Sequence, residues 1–81
     1  MYYTYILKSS ATGKIYIGQT NNLEDRIKRH NSNQNKYTKN KGPWKLSFVK
    51  EFNTRSEAVI FENKLKSIKN KDYLIRFIKN L

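Results

Sequence analysis

Tyr2-Tyr3-Thr4-Tyr5-Ile6-Leu7-Lys8, a break over residues 9–14, and then Ile15-Tyr16-Ile17-Gly18-Gln19 make up the stretch on which the fold turns. Aromatic and β-branched residues crowd both runs, the composition of strands. Thr12-Gly13 between them is a turn signal, so the two runs read as a β-hairpin. Gly18, near the end of the second run, marks a place where something approaches the backbone closely.

Downstream of the hairpin the period changes. Asn21 or Asn22 offers a helix N-cap, with Glu24 three residues after Asn21. Leu23, Ile27 and His30 fall on one face of the helix that follows, which is expected to end near Asn31. Residues 32–42 are polar, rich in Lys and Asn, and without period. They read as a loop, and a loop of that length in a small domain points to function or mobility. Residues 44–52 alternate, with Trp44, Leu46, Phe48 and Phe52 expected on one side of a third strand. Thr54-Arg55-Ser56-Glu57 is a capping box opening a helix with the stripe Ala58, Phe61, Leu65 and Ile68. Asn70 or Asp72 caps a last helix, with Leu74, Phe77, Ile78 and Leu81 expected inward. The order β-β-α-β-α-α places the chain in the α+β class, as a small three-stranded antiparallel sheet packed against helices. Residues 1–81 are expected to form a single domain, since no repeat, linker or low-complexity tract divides them.

Composition narrows the function. The chain of 81 residues has no cysteine, so neither a disulfide nor a thiolate metal site can stabilise it. Four Phe, six Tyr and one Trp supply apolar packing instead. Seventeen Lys and Arg face six Asp and Glu, for a formal charge of +11. Such a surface attracts polyanions, and a nucleic acid explains it best, because each phosphate neutralised releases counterions. Solubility alone is the plainer reading of the same charge. No helix pairs a fully apolar face with a lysine-rich one, so a membrane surface is not the expected partner. Residues 1–8 lack the basic and apolar regions of a signal peptide, and the longest apolar run, residues 58–61, is far too short to cross a bilayer. Cytoplasmic residence is expected.

Several residues carry possible chemistry. Tyr5 and Tyr16 sit one on each strand of the hairpin; either alone is ordinary strand packing. Arg26 and His30, at i,i+4 spacing, flank the stripe that holds Leu23 and Ile27, so a guanidinium and an imidazole accompany the face turned to the sheet. A snorkelling arginine and a satisfied core histidine are the plainer alternatives. Glu62 lies at the edge of its helix's apolar stripe, where a carboxylate needs a partner. Lys66 can be that partner, or the carboxylate can hold a hard cation such as Mg²⁺ together with water and phosphate oxygens. Together these groups suit phosphodiester hydrolysis, which needs an activated water, a Lewis acid and stabilisation of developing negative charge. Glu62 would hold the metal and Arg26 would bond phosphate oxygens in a fork. A tyrosine would take a proton from water if its surroundings lowered a pKa that is ordinarily about 10. With one His and no Cys, a zinc site is nearly excluded. The three glycines form no phosphate-binding loop.

These residues resemble the signature of the GIY-YIG nucleases. Tyr3-Thr4-Tyr5-Ile6-Leu7 corresponds to the first half, and Ile15-Tyr16-Ile17-Gly18-Gln19-Thr20-Asn21-Asn22-Leu23-Glu24-Asp25-Arg26 to the second, with Tyr16-Ile17-Gly18 as the YIG triplet itself. Arg26 and His30 resemble the family's downstream block. Thr54-x-x-Glu57-Ala58-x-x-x-Glu62-x-x-Leu65 resembles its later helix. The start of the chain and Lys36-Tyr37-Thr38 are similar to the short, stand-alone members of the family, many of them uncharacterised. The resemblance implies hydrolysis of DNA with one bound Mg²⁺ or Mn²⁺. It makes Tyr5 and Tyr16 the paired tyrosines, Arg26 the phosphate clamp, His30 a helper and Glu62 the metal ligand, and it leaves open which tyrosine is the base. Two departures stand out: Tyr3-Thr4-Tyr5 lacks the family's glycine, and a late asparagine used by some members has only Asn70 as a candidate. The longer relatives carry a separate DNA-binding domain; none is expected here, so the chain's own lysines are expected to hold the substrate. Lys36, Lys39, Lys41 and Lys45 form one expected set and Lys66, Lys69 and Lys71 a second, setting orientation and not sequence. Tyr37 and Trp44 could stack on an unpaired base, though Trp44 is expected in the core. The leading reading is a metal-dependent, structure-selective nuclease. Its rival is a non-catalytic nucleic-acid-binding module that keeps the fold.

Overall fold

The computed structural model describes residues 1–32, 35 and 37–81. Its elements follow the expected order: β1 (Tyr2–Ser9), β2 (Ile15–Thr20), α1 (Leu23–Asn31), β3 (Trp44–Phe52), α2 (Arg55–Ser67) and α3 (Lys71–Lys79). The three strands form one antiparallel sheet in the order β2-β1-β3, with β1 in the middle. The caps are local and side-chain made. Asn22 accepts from the Asp25 N–H, Thr54 from the Glu57 N–H, and Asn70 from the Tyr73 N–H. Each satisfies an orphan donor of a first helical turn. Asn22 and Asn70 are therefore the caps where the sequence left two choices each. Thr54 also donates to the Glu57 carboxylate, at 2.9 Å.

Both faces of β1 are buried, which is why its residues Thr4 to Leu7 are all sequestered from solvent. On one face Tyr5, Leu7 and Trp44 pack with Tyr16, Leu23 and Ile27 beneath α1. On the other, Ile6, Ile17, Leu65 and Leu74 form a second core joined by Phe48, Phe61, Ile68 and Phe77 from β3, α2, the segment after α2, and α3. Thr4 Oγ1 donates to the Ala58 carbonyl at 2.7 Å and ties α2 to the central strand. Among the described residues, no helix is long and apolar enough to cross a membrane.

The two faces correct the expected side of β3. Ile6 pairs with Phe48 but Leu7 pairs with Leu46, so Ser47 is an extra residue in the ladder. A bulge of this kind reverses the alternation beyond it. Trp44 and Leu46 therefore point to the α1 side, while Phe48 and Phe52 point to the α2 and α3 side. Leu46 is half-open to solvent rather than core. Leu81 also departs from expectation: α3 ends at Lys79, and Leu81 is exposed.

Asn31 joins α1 to β3. Its side chain accepts from the Trp44 N–H at 2.6 Å and donates to the Trp44 carbonyl at 3.0 Å. That pairing anchors the start of β3 against the end of α1, and with it the loop between them.

Candidate active site

Tyr5 lies at the centre of β1, directly opposite Gly18 of β2. Its phenol lies across the glycine: a Cβ on residue 18 would sit 2.6 Å from Tyr5 Oη and 2.8 Å from Cζ. The close approach expected at Gly18 is this ring. Gly18 is needed here for space. Tyr16, two residues before it, faces the same side, with its ring 6.3 Å from that of Tyr5.

Helix α1 brings Arg26 and His30 to these phenols. The His30 ring centre is 4.6 Å from that of Tyr16, and His30 Nε2 is hydrogen-bonded to Tyr5 Oη at 3.1 Å. Its other nitrogen, Nδ1, is bonded to Thr38 Oγ1 at 2.9 Å. The imidazole is fully buried, and burial, followed by the Arg26 charge, holds its pKa below the usual range. It is a neutral ring at ordinary pH. The Tyr5 hydroxyl is pushed the other way. Burial raises its pKa most, the neighbouring Tyr16 adds to this, the Arg26 charge and hydrogen bond oppose it, and Glu62 raises it again. Tyr5 rests as a protonated phenol. Arg26 Nε is buried without a hydrogen-bond partner among the described residues. A buried guanidinium N–H left open is costly unless a ligand satisfies it. Arg26 also lines a small polar recess of about 130 Å³ with Arg55, Tyr2, Gln19, Thr20 and Asn21. Arg55 is a second guanidinium beside the site that sequence reasoning passed over, because it looked like one more residue in a capping box.

Glu62 comes from α2, on the far side of the sheet from α1. Only 15 % of its side chain is exposed, and Lys66 Nζ meets its Oε2 at 2.8 Å. Its charge is felt at Tyr5. The structure thus gathers Tyr5, Tyr16, Arg26 and His30 into one cluster and puts the Glu62 carboxylate within electrostatic reach. Among the described residues, no group of three or more His, Cys, Asp or Glu could hold a metal. The donor set is one hard carboxylate, which suits a Mg²⁺-like ion that keeps most of its water and takes phosphate oxygens. It does not suit zinc.

Lysines gather on one side of the cluster. A groove of about 640 Å³ runs from Tyr16 past Tyr37, Lys41, Lys66, Lys69 and Lys71, with Lys14 as a further cation. Its floor includes Ile15, Ile17, Ile68 and Leu74, and among the described residues no carboxylate lines it. Lys71 also donates to the Gly13 carbonyl at 2.5 Å. Lys39 and Lys45, expected with this group, do not line the groove. Lys36 lies outside the described residues. Tyr37 is largely exposed, while Trp44 is buried as a core residue. Asn70 spends its side-chain oxygen on the α3 cap.

The GIY-YIG catalytic domain matches residues 1–74. A UPF0213 protein of Oceanobacillus iheyensis is 38% identical over 68 residues, covering 83% of this chain and 78% of the relative. A UPF0213 protein of Clostridium perfringens is 44% identical over 69 residues, covering 84% of this chain and 73% of the relative. The solution NMR structure of a UPF0213 protein from Bacillus halodurans superposes with a TM-score of 0.59 at 33% identity, covering 95% of this chain and 85% of the other. The match spans both strands of the hairpin, α1 and the whole of α2. On these grounds the chain belongs to the GIY-YIG catalytic domain family, a family of nucleases.

Proposed function

We propose that this protein is a divalent-metal-dependent endonuclease that hydrolyses phosphodiester bonds in DNA beside branched or unpaired structure. The observation that carries the reading is the delivery of Arg26 and His30 by one helix onto the paired phenols Tyr5 and Tyr16. Plain packing would not leave a buried guanidinium Nε without a partner. A phosphate oxygen is the natural acceptor for it, and the planar fork suits phosphate geometry.

Glu62 is the residue that would hold Mg²⁺ or Mn²⁺. When bound, such an ion supplies Lewis acidity and neutralises charge on the phosphate. The chain's own groups do the rest. Arg26 clamps the phosphate and stabilises the charge that develops on it. Tyr5 rests protonated, so it gives its hydroxyl proton to the neutral His30 Nε2 as its oxygen receives the proton of the attacking water, with Tyr16 beside it; the net proton ends on the imidazole. Lys41, Lys66, Lys69 and Lys71 hold the strand by its phosphates. The groove's apolar floor supports the preference for unpaired structure, since a base can enter it only when free of its partner.

The test is a panel of labelled branched, flapped, nicked, duplex and single-stranded DNA with Mn²⁺, Mg²⁺ or EDTA. Cleavage is expected with either metal, strongest where unpaired nucleotides adjoin duplex, and absent in EDTA. Glu62→Ala is expected to abolish cutting while retaining DNA affinity within about threefold, because the lysines, and not Glu62, hold the strand. Binding by the wild type without cleavage of any substrate would favour the non-catalytic module instead.

A further inference from the structure

The nuclease reading gives no role to a buried hydroxyl that touches His30. Thr38 comes from the loop between α1 and β3, yet it is only 1% exposed. Its backbone is held from three directions. Its N–H donates to the Asn35 carbonyl at 3.3 Å, and its carbonyl accepts from Trp44 Nε1 at 3.1 Å and from the Lys41 N–H at 3.2 Å. The hydroxyl is thereby fixed 2.9 Å from His30 Nδ1.

The proton inventory decides what that contact does. Tyr5 is fully buried, so its O–H must find an acceptor within the protein. Arg26 can only donate, so it takes a lone pair of Tyr5 Oη and not its proton. Among the described residues, the acceptor within bonding distance is His30 Nε2, at 3.1 Å. A neutral imidazole carries one N–H. If Nε2 accepts, the proton is on Nδ1, and Nδ1–H donates to Thr38 Oγ1.

We propose that Thr38 is a positioning residue: its hydroxyl accepts the His30 Nδ1–H and fixes the tautomer whose Nε2 lone pair faces the Tyr5 hydroxyl. The loop thus sets the direction in which the Tyr5 proton can travel. Without the hydroxyl, Nδ1–H loses its acceptor, and the ring gains reason to carry its proton on Nε2. It would then donate to Tyr5 and leave the phenol proton with nowhere to go. The consequence for catalysis rests on the nuclease reading; the tautomer assignment does not.

The test uses the full chain, whose one histidine makes the readout unambiguous. Imidazole ¹⁵N shifts distinguish a protonated Nδ1 from a protonated Nε2. The wild type is expected to show the Nδ1–H form near neutral pH. Thr38→Val, which keeps the volume and removes the hydroxyl, is expected to shift the ring toward Nε2–H. It is also expected to lower kcat about tenfold with KM within about twofold, a fraction of what general acid–base catalysis supplies. Thr38→Ser restores the hydroxyl and is expected to recover the wild-type spectrum and most of kcat. A wild-type spectrum of the Nε2–H form overturns the proposal whether or not Thr38→Val folds. So does a Thr38→Ser variant as impaired as Thr38→Val, since packing of the methyl would then be the cause. If no variant cuts DNA, the nuclease reading falls, and the ¹⁵N spectra still decide the role of Thr38.

Discussion

His30 shows how one residue can be read three ways, as core filler, as charge and as part of a relay. It is fully buried and bonded at both nitrogens, which satisfies it as a core group. Its pKa is held down by burial and by Arg26, so the folded state resists protonation. The unfolded chain does not, and its histidine titrates near the ordinary 6.5. Below that pH the unfolded state binds the extra proton, and stability falls as pH drops until the folded state can bind it too. His30 therefore contributes full stability above about pH 6.5, with a slope below it of at most about 1.4 kcal/mol per pH unit. Urea unfolding at pH 7.5 and 5.8 measures this. The wild type is expected to lose stability between the two, and His30→Gln to lose distinctly less. Equal losses would mean that the folded imidazole takes up a proton as readily as the unfolded one, so that burial and Arg26 do not hold its pKa down.

At the scale of elements, the site is built by a hairpin that permits and a helix that supplies. Gly18 permits: its missing Cβ leaves room for the Tyr5 ring, which lies on the neighbouring strand. Gly18→Ala puts a methyl 2.6 Å from Tyr5 Oη, with the Tyr16 ring 3.1 Å away. Overpacking of this kind costs roughly 1–3 kcal/mol and displaces the phenol. Thermal unfolding is expected to show the loss, and the Tyr5–His30 bond, read from the same ¹⁵N shifts, is expected to weaken. A Gly18→Ala protein with unchanged stability and spectrum would show that the phenol moves freely. This constraint was legible in the sequence because a glycine late in a strand has few other reasons to be there. The caps were legible too, since Asn22, Thr54 and Asn70 act within three residues of themselves. The bulge at Ser47 was not. Nothing in residues 44–52 breaks the alternation; the register is decided by how β1 pairs on each side of Ile6 and Leu7. Thr38 was illegible as a site residue for the same reason. It carries no period, and its value comes from contacts with His30 and Trp44, on the helix and the strand that flank its loop, which no local spacing rule predicts.

For the whole molecule the question is whether its charge acts as a total or as a place. The Cα framework is a flattened body of 29 × 28 × 17 Å, carrying a formal charge of +11. A body so small and so basic binds any polyanion to some degree. Yet the lysines are not equivalent. Lys41 and Lys69 line the groove that begins at Tyr16, whereas Lys39 and Lys45 do not. Replacing either pair by alanine removes the same two charges. If phosphates lie along the groove, Lys41→Ala/Lys69→Ala abolishes two contacts and two counterion releases. The slope of log K against log salt for a single-stranded oligonucleotide should then become shallower by about 1.4, at roughly 0.7 per phosphate. Lys39→Ala/Lys45→Ala should shift the curve slightly and leave its slope close to the wild type, because diffuse charge steers without fixing a contact. Fluorescence anisotropy between about 50 and 200 mM salt measures both, over the range where such contacts dominate affinity. Equal changes in slope for the two pairs would show that the strand has no preferred path. The groove would then be a gap between lysines, and selection for unpaired structure would lose its physical basis.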